Sequence, residues 1–289
     1  MVGKAPERFV VYALGGGHGH AVRGALIAAD LERRGVACRL LVRSECGPIA
    51  RALAPTAIIR SIGETEPPEL QRIVREAIDA HEATDMLVDT FPEGLLGELN
   101  TRIAVRRWAV LRLRRDALSP SFLRALEHYH AVADVEPDLD WLPHVRVARL
   151  TPLSRRIEVG GEGVALIDAD GLDAFLSRLA QRLSHHVPVV RVKEWIHRVP
   201  PVVIGPSGYN LTYELARAGA FHLALPRPRA FDDQRRRAAA VAELVESPEA
   251  LERRALTLAR QPEVRARTGE GAERVADWLL ADERQVHHR

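Results

Sequence analysis

The chain has 289 residues, 46% apolar and 28% charged, enough for two ordinary domains with a real core. Its 41 basic and 39 acidic side chains leave a net charge of +2, which argues against a dedicated nucleic-acid binder. Cys38 and Cys46 are too few for a disulfide framework or a zinc site, and no apolar run reaches the ~20 residues of a membrane span or forms a secretion signal, so the expected setting is a reduced cytoplasm.

Arg8 to Leu14 (RFVVYAL) is an unbroken β-rich run, typical of a central parallel strand. Gly15-Gly-Gly-His-Gly-His20 follows as a turn. Ala21 to Arg34 then carries apolar residues at helical spacing and ends on Arg33 and Arg34, with Gly35 as the stop. Val36 to Val42 is the next strand and places Cys38 in the core. This strand, glycine turn, helix, strand order predicts a βαβ unit with a parallel sheet. Strands are expected at Ala57–Ile62, Thr84–Phe91, Ile103–Leu113 and Ala131–Val135, with a helix over Pro68–Glu82. Pro137, Pro143 and Pro152 change the character of the chain, and the domain boundary is expected at about 150.

The second half repeats the alternation. Gly163–Ile167 reads as a strand, Gly171–Leu183 as a helix, and Val187–Val192 and Val202–Ile204 as strands. After Val202-Val-Ile the turn Gly-Pro-Ser-Gly208 opens a helix, Gly219 stops it, and Phe221–Leu225 is a further strand. Helices follow at Ala230–Val245, Pro248–Arg260 and Gly271–Leu280. The expectation is an α/β chain of two Rossmann-like halves, 1–150 and 151–289, facing a cleft where the carboxyl ends of the strands meet.

Chemistry-bearing residues gather at those strand ends. The turn before Tyr209 aims backbone N–H groups beyond the sheet edge, which suits an anion. Glu214 inside that helix and Gln234 at the start of the next have the reach for the hydroxyls of one small ligand beside it. The glycines after the first strand allow close backbone approach to a ligand or make a tight structural turn. His20 has the chemistry of a base or a phosphate donor near neutral pH. Asp89 is placed either to accept a proton from an acceptor hydroxyl or to cap a helix. Arg112 to Asp116, with Arg112 and Arg115, neutralises an acceptor phosphate or forms a solvated edge. Asp168 or Asp170 reads as the helix N-cap, and two carboxylates there would repel a diphosphate. Trp195 reads as a packed aromatic on a segment whose position allows it to line a nucleotide pocket.

Gly15-Gly16-x-x-Gly19-His20 and the block from Ser207-Gly208 through Glu214, Ala216 and Gly219 to Phe231, Asp233 and Gln234 resemble the MurG-like family of GT-B glycosyltransferases. Asp89-x-Phe91-Pro92 and Leu111 to Asp116 are similar to a branch of predicted glycosyltransferases. The likeness touches about a third of the chain at the level of motifs and is most specific in the C-terminal block. It implies the GT-B architecture, from which this chain departs in having a shortened C-terminal domain. It also implies transfer from a UDP-sugar to a hydroxyl of a small or lipid-linked acceptor, and the latter class allows peripheral membrane association. Gly15, Gly16, Gly19, Ser207, Gly208, Tyr209 and Asn210 would meet the donor. Glu214 would hold ribose hydroxyls, and Gln234 with Asp233 sugar hydroxyls. His20, with Asp89 as the alternative base, would serve the reacting centre. Neither a metal nor a resident cofactor is implied. The family's glycine loop at the first turn of the C-terminal domain is replaced here by Asp168-Ala-Asp-Gly171. A non-catalytic GT-B-like binding protein and a UDP-sugar 2-epimerase-like enzyme are the alternatives.

Overall fold

The structure is a computed structural model, and it describes residues 7–112, 119–136, 147–168, 171–192, 197–229, 232–245, 247–261 and 271–286. The chain folds as two compact units, with the passage from the first to the second at Leu153 and Ser154.

The first unit holds seven strands: β1 (Arg8–Tyr12), β2 (Ala37–Arg43), β3 (Ile58–Ile62), β4 (Asp85–Asp89), β5 (Arg106–Leu111), β6 (Ala131–Asp134) and β7 (Val147–Arg149). They form one sheet in the order β3-β2-β1-β4-β5-β6-β7, and every pairing is parallel. The crossovers carry α1 (His18–Arg33), α2 (Gly47–Leu53), α3 (Pro67–His81) and α4 (Pro120–Leu126). β1 and β4 are buried on both faces, as expected of central strands in a parallel sheet. α3 starts on Pro67 and Pro68, where a missing N–H costs nothing.

The second unit has β8 (Glu158–Val159), β9 (Val164–Ile167), β10 (Val189–Val192), β11 (Arg198–Val199), β12 (Val202–Gly205), β13 (Phe221–Ala224) and β14 (Glu243–Leu244). Five of these make a parallel sheet in the order β10-β9-β12-β13-β14, and β8 pairs with β11 alongside. The helices are α5 (Asp173–Ser184), α6 (Tyr209–Ala218), α7 (Gln234–Val241) and α8 (Pro248–Arg260). The sheet packs Val164, Leu166, Val202, Ile204 and Leu223 against Leu176, Leu179, Leu251 and Leu258 of α5 and α8. Both sheets are of the doubly wound, Rossmann-like kind, and the second is the smaller.

Several details differ from the sequence reading. α1 begins at His18, not Ala21, because Gly17 is extended and serves as N-cap, so His20 lies within the helix. The helix expected over Ala230–Val245 is shorter. Asp233 caps it, and after Val241 the chain pairs with β13 as β14. β7 extends the first sheet inside the proline-bearing stretch where the domain boundary was expected. The last helix, α9 (Glu273–Val286), was expected in the 151–289 half but belongs to the first unit. It packs on α1, with Arg34 donating to Asp277 over 2.6 Å and Trp278 edge-on to Trp108 at 5.2 Å. Among the described residues no helix is long and apolar enough to cross a membrane.

Candidate active site

In the first sheet the strand order reverses between β1 and β4, so crossovers leave to opposite sides and open a crevice beyond their carboxyl ends. His20 reaches that point from the first turn of α1, and Asp89 is the last residue of β4. The His20 Nδ1 lies 2.6 Å from Asp89 Oδ2. Behind the pair stands Arg23, one turn further along α1. Its Nε and Nη2 donate to the two Asp89 oxygens over 2.9 and 2.7 Å. All three side chains are buried. Phe91 stacks on the imidazole with ring centroids 5.2 Å apart. Gly15 is demanded by the same ring, since a Cβ there would stand 2.2 Å from His20 Cδ2.

The electrostatics assign the protons. Burial pushes the Asp89 carboxyl up, but the Arg23 guanidinium and then His20 outweigh it and hold the group well below the usual carboxylate range. Asp89 is therefore ionised and can only accept, so a neutral His20 carries its proton on Nδ1 and the lone pair on Nε2. Burial lowers the His20 pKa from 6.5; Asp89 opposes this, and Arg23 and Arg112 add to it. Arg112, just past β5, thus acts on His20 through its charge. Arg115 lies outside the described residues, as do Asp170, Trp195 and Phe231. Asp89 thus accepts from Arg23 on both oxygens and lies against His20 through Oδ2.

A cavity of about 170 Å³ opens at the same edge of the sheet, lined by Leu14, Ile62, Leu70, Leu95 and Leu96, with Arg43, Gly63, Glu64 and Thr65. Leu14 precedes the glycine under His20. Leu95 and Leu96 belong to the loop that begins at Thr90. Glu98 pins that loop: it accepts from Leu96 N over 2.8 Å, from Leu95 N over 3.2 Å, and from the Tyr12 hydroxyl.

In the second unit the order reverses between β9 and β12. Asp168 follows β9, and the turn Pro206-Ser207-Gly208 follows β12. Asp168 does not cap α5, whose N-cap is Leu172; its carboxylate accepts from Arg191 Nε over 2.6 Å, so its charge is balanced. α6 starts at Tyr209 with Gly208 as N-cap and no side-chain cap on its N–H groups. Ser207 is fully buried and donates to the backbone oxygen of Gln234 over 2.9 Å. Tyr209 packs against Tyr213 at 4.8 Å, with the Arg237 guanidinium 5.6 Å from its ring, and Asn210 is half-buried on the first turn of α6.

Three donor-side candidates make hydrogen bonds within the protein. Glu214 is 4% exposed and both its oxygens accept from Arg155, over 3.1 and 3.0 Å, so it enters any site as half of an ion pair. Asp233 is engaged as the cap of α7, accepting from Arg236 N over 3.0 Å. Gln234 accepts from Arg227 N over 3.0 Å and donates to Asp232 over 3.3 Å. The structure does bring Gln234 to the mouth of α6: a Cβ on Gly208 would lie 4.0 Å from its amide nitrogen. Gly16 is exposed with open space where a Cβ would be, and Gly19 is half-buried within α1.

Sequence reasoning missed Arg23 and Arg155. Arg23 left a signal, a lone charge inside the apolar run Ala21 to Ala28, and a cation buried in such a run needs a partner. Arg155 left none, because its partner is 59 residues away. Among the described residues no three His, Cys, Asp or Glu side chains cluster in a metal-holding arrangement.

No protein-family model and no curated protein matches the sequence. Solved structures match over nearly the whole chain. The kitacinnamycin glycotransferase aligns with a TM-score of 0.68 at 12% identity, covering 96% of this chain and 99% of that one. MurG of Acinetobacter baumannii aligns with 0.63 at 14% identity, covering 96% and 100%. Phytolacca americana UGT2, complexed with UDP-2-fluoro-glucose and pterostilbene, aligns with 0.59 at 10% identity, covering 97% and 94%. At these identities the likeness shows the fold: the chain has the GT-B glycosyltransferase fold.

Proposed function

We propose that this GT-B chain transfers a sugar from a UDP-sugar to a hydroxyl acceptor. The observation that carries the reading is the position of His20, its Nδ1 2.6 Å from Asp89 Oδ2, at the switch point of the first sheet. In the reaction Nε2 takes the acceptor proton as the acceptor oxygen bonds to the anomeric carbon. The bond from that carbon to the diphosphate breaks, and UDP leaves with the electron pair. Attack opposite the leaving group inverts the anomeric centre. Asp89 keeps the imidazole in one tautomer and stabilises the cation that forms.

The second unit supplies the donor residues. The amino end of α6, with Ser207, Gly208, Tyr209 and Asn210, offers N–H groups and the positive helix end to the diphosphate. Each Glu214 oxygen has two lone pairs, and Arg155 uses one on each, so the others remain for a ribose diol. Gln234 serves the sugar hydroxyls. Arg112 and Arg115 serve a negatively charged group of the acceptor. That the UGT2 structure contains UDP-2-fluoro-glucose supports a nucleotide-sugar donor. The aliphatic cavity beside Leu14 supports an acceptor with an apolar body.

The test is incubation with a panel of UDP-sugars and alcohols, with mass spectrometry for released UDP. Wild type is expected to release UDP, and His20→Ala to lose about 10²–10⁴-fold in turnover while keeping its thermal shift with UDP. A protein that neither releases UDP nor melts higher with it is not this enzyme. The hydrogen-bonded state of Glu214 and Gln234 favours one second reading, a GT-B-like binding protein that does not transfer sugar; a UDP shift that survives Glu214→Gln, without turnover in either protein, would favour it.

A further inference from the structure

We infer that Thr90 is a positioning residue for His20, acting through a strained γ-turn that fixes Asp89 and Phe91 against its imidazole. The inference rests on the reading of His20 as the base. β4 ends at Asp89, yet Thr90 N still donates to Val110 O over 2.8 Å, so the ladder with β5 runs one residue further. The chain then reverses within a single residue. Phe91 N donates back to Asp89 O over 3.0 Å, and Thr90 between them has φ +74°. That bond and that angle define the γ-turn of the rare, strained kind. Among the described residues, Glu82 and Thr90 are the non-glycines with positive φ, and Glu82 ends a helix at the surface. Thr90 is β-branched and 2% exposed, so its conformation is imposed by its surroundings.

Glycine would adopt this turn freely, but threonine adds a hydroxyl. Thr90 Oγ1 accepts from Arg23 Nη2 over 3.4 Å, the same nitrogen that donates to Asp89 Oδ2. One guanidinium thus ties the carboxylate and the turn together. The residue before Thr90 bonds the imidazole nitrogen and the residue after it covers the imidazole face. A swing of either peptide at Thr90 would move both contacts at once.

The test is NMR titration of His20 in wild type, Thr90→Gly and Thr90→Ser, with turnover measured alongside. Thr90→Gly is expected to move the His20 midpoint and to speed exchange of its Nδ1 proton. It should lower kcat about ten- to a hundredfold with the donor KM unchanged. Thr90→Ser keeps the hydroxyl and should restore the wild-type midpoint. If Thr90→Gly does not fold, Thr90→Asn, which tolerates a left-handed backbone, is read the same way. A His20 midpoint and Nδ1 exchange rate unchanged by the substitution overturn the inference. The NMR signals need no turnover. A shifted midpoint in a protein that transfers no sugar would therefore refute the glycosyltransferase reading and leave the role of Thr90 standing.

Discussion

At the scale of single residues, the site depends on which buried charges are compensated. His20 is held below its ordinary 6.5 chiefly by burial, so kcat/KM should rise through an acid limb whose midpoint lies under 6.5, measured across pH 4.5–8. The same shift has a stability sign. The unfolded His20 binds a proton below 6.5, whereas the folded one does so only at lower pH, so stability falls as pH drops through that window. Asp89, also depressed, contributes stability that is complete above the ordinary carboxylate range and lost on further acidification. Urea unfolding at a series of pH values should show both losses on the acid side. Glu214 warns against a simple alanine test. Glu214→Ala leaves Arg155 buried without its partner and should cost about 3–5 kcal/mol by urea unfolding, whatever it does to donor binding. Glu214→Gln keeps an acceptor and the volume, and is the variant in which a change in UDP affinity speaks of the donor.

At the scale of elements, the turn from β1 into α1 sets His20. Gly15→Ala places a methyl 2.2 Å from the ring, at a backbone position that imposes no left-handed strain, so the imidazole and not the fold should yield. The expected outcome is a soluble protein with near-normal melting and kcat lowered about 10²-fold, checked by thermal unfolding and turnover. The β12, α6, β13 stretch was legible in the sequence because each boundary has a local cause: four buried strand residues, a turn of Pro206 to Gly208, and Gly219 left-handed at φ 81°. The start of α1 was not, because glycines at 17 and 19 read as a loop. β14, with two residues, has no period to detect, and β7 hid behind three prolines.

At the scale of the molecule, alternating strands and helices announced two doubly wound sheets, and local cues suffice for that. What they do not carry is order. That β1 would lie beside β4, and β9 beside β12, is settled by packing between residues far apart in sequence, and those reversals place the candidate site. The return of α9 was equally hidden, since its stripe of Val275, Ala276 and Leu279 would suit either unit. Removal of residues 271–289 should therefore destabilise the first unit, uncovering Trp108, while the second melts as before. Tryptophan-monitored urea unfolding of the truncated chain should show the first unit's transition alone moving to lower denaturant.

Both cysteines are buried, Cys38 in β2 and Cys46 just before α2, and burial pushes each thiol up, away from the reactive thiolate. The two native thiols should therefore be slow to react with maleimides. A single cysteine introduced at exposed Asp173 or Glu249 would be the sole point of attachment for a fluorophore or spin label, without prior removal of native thiols.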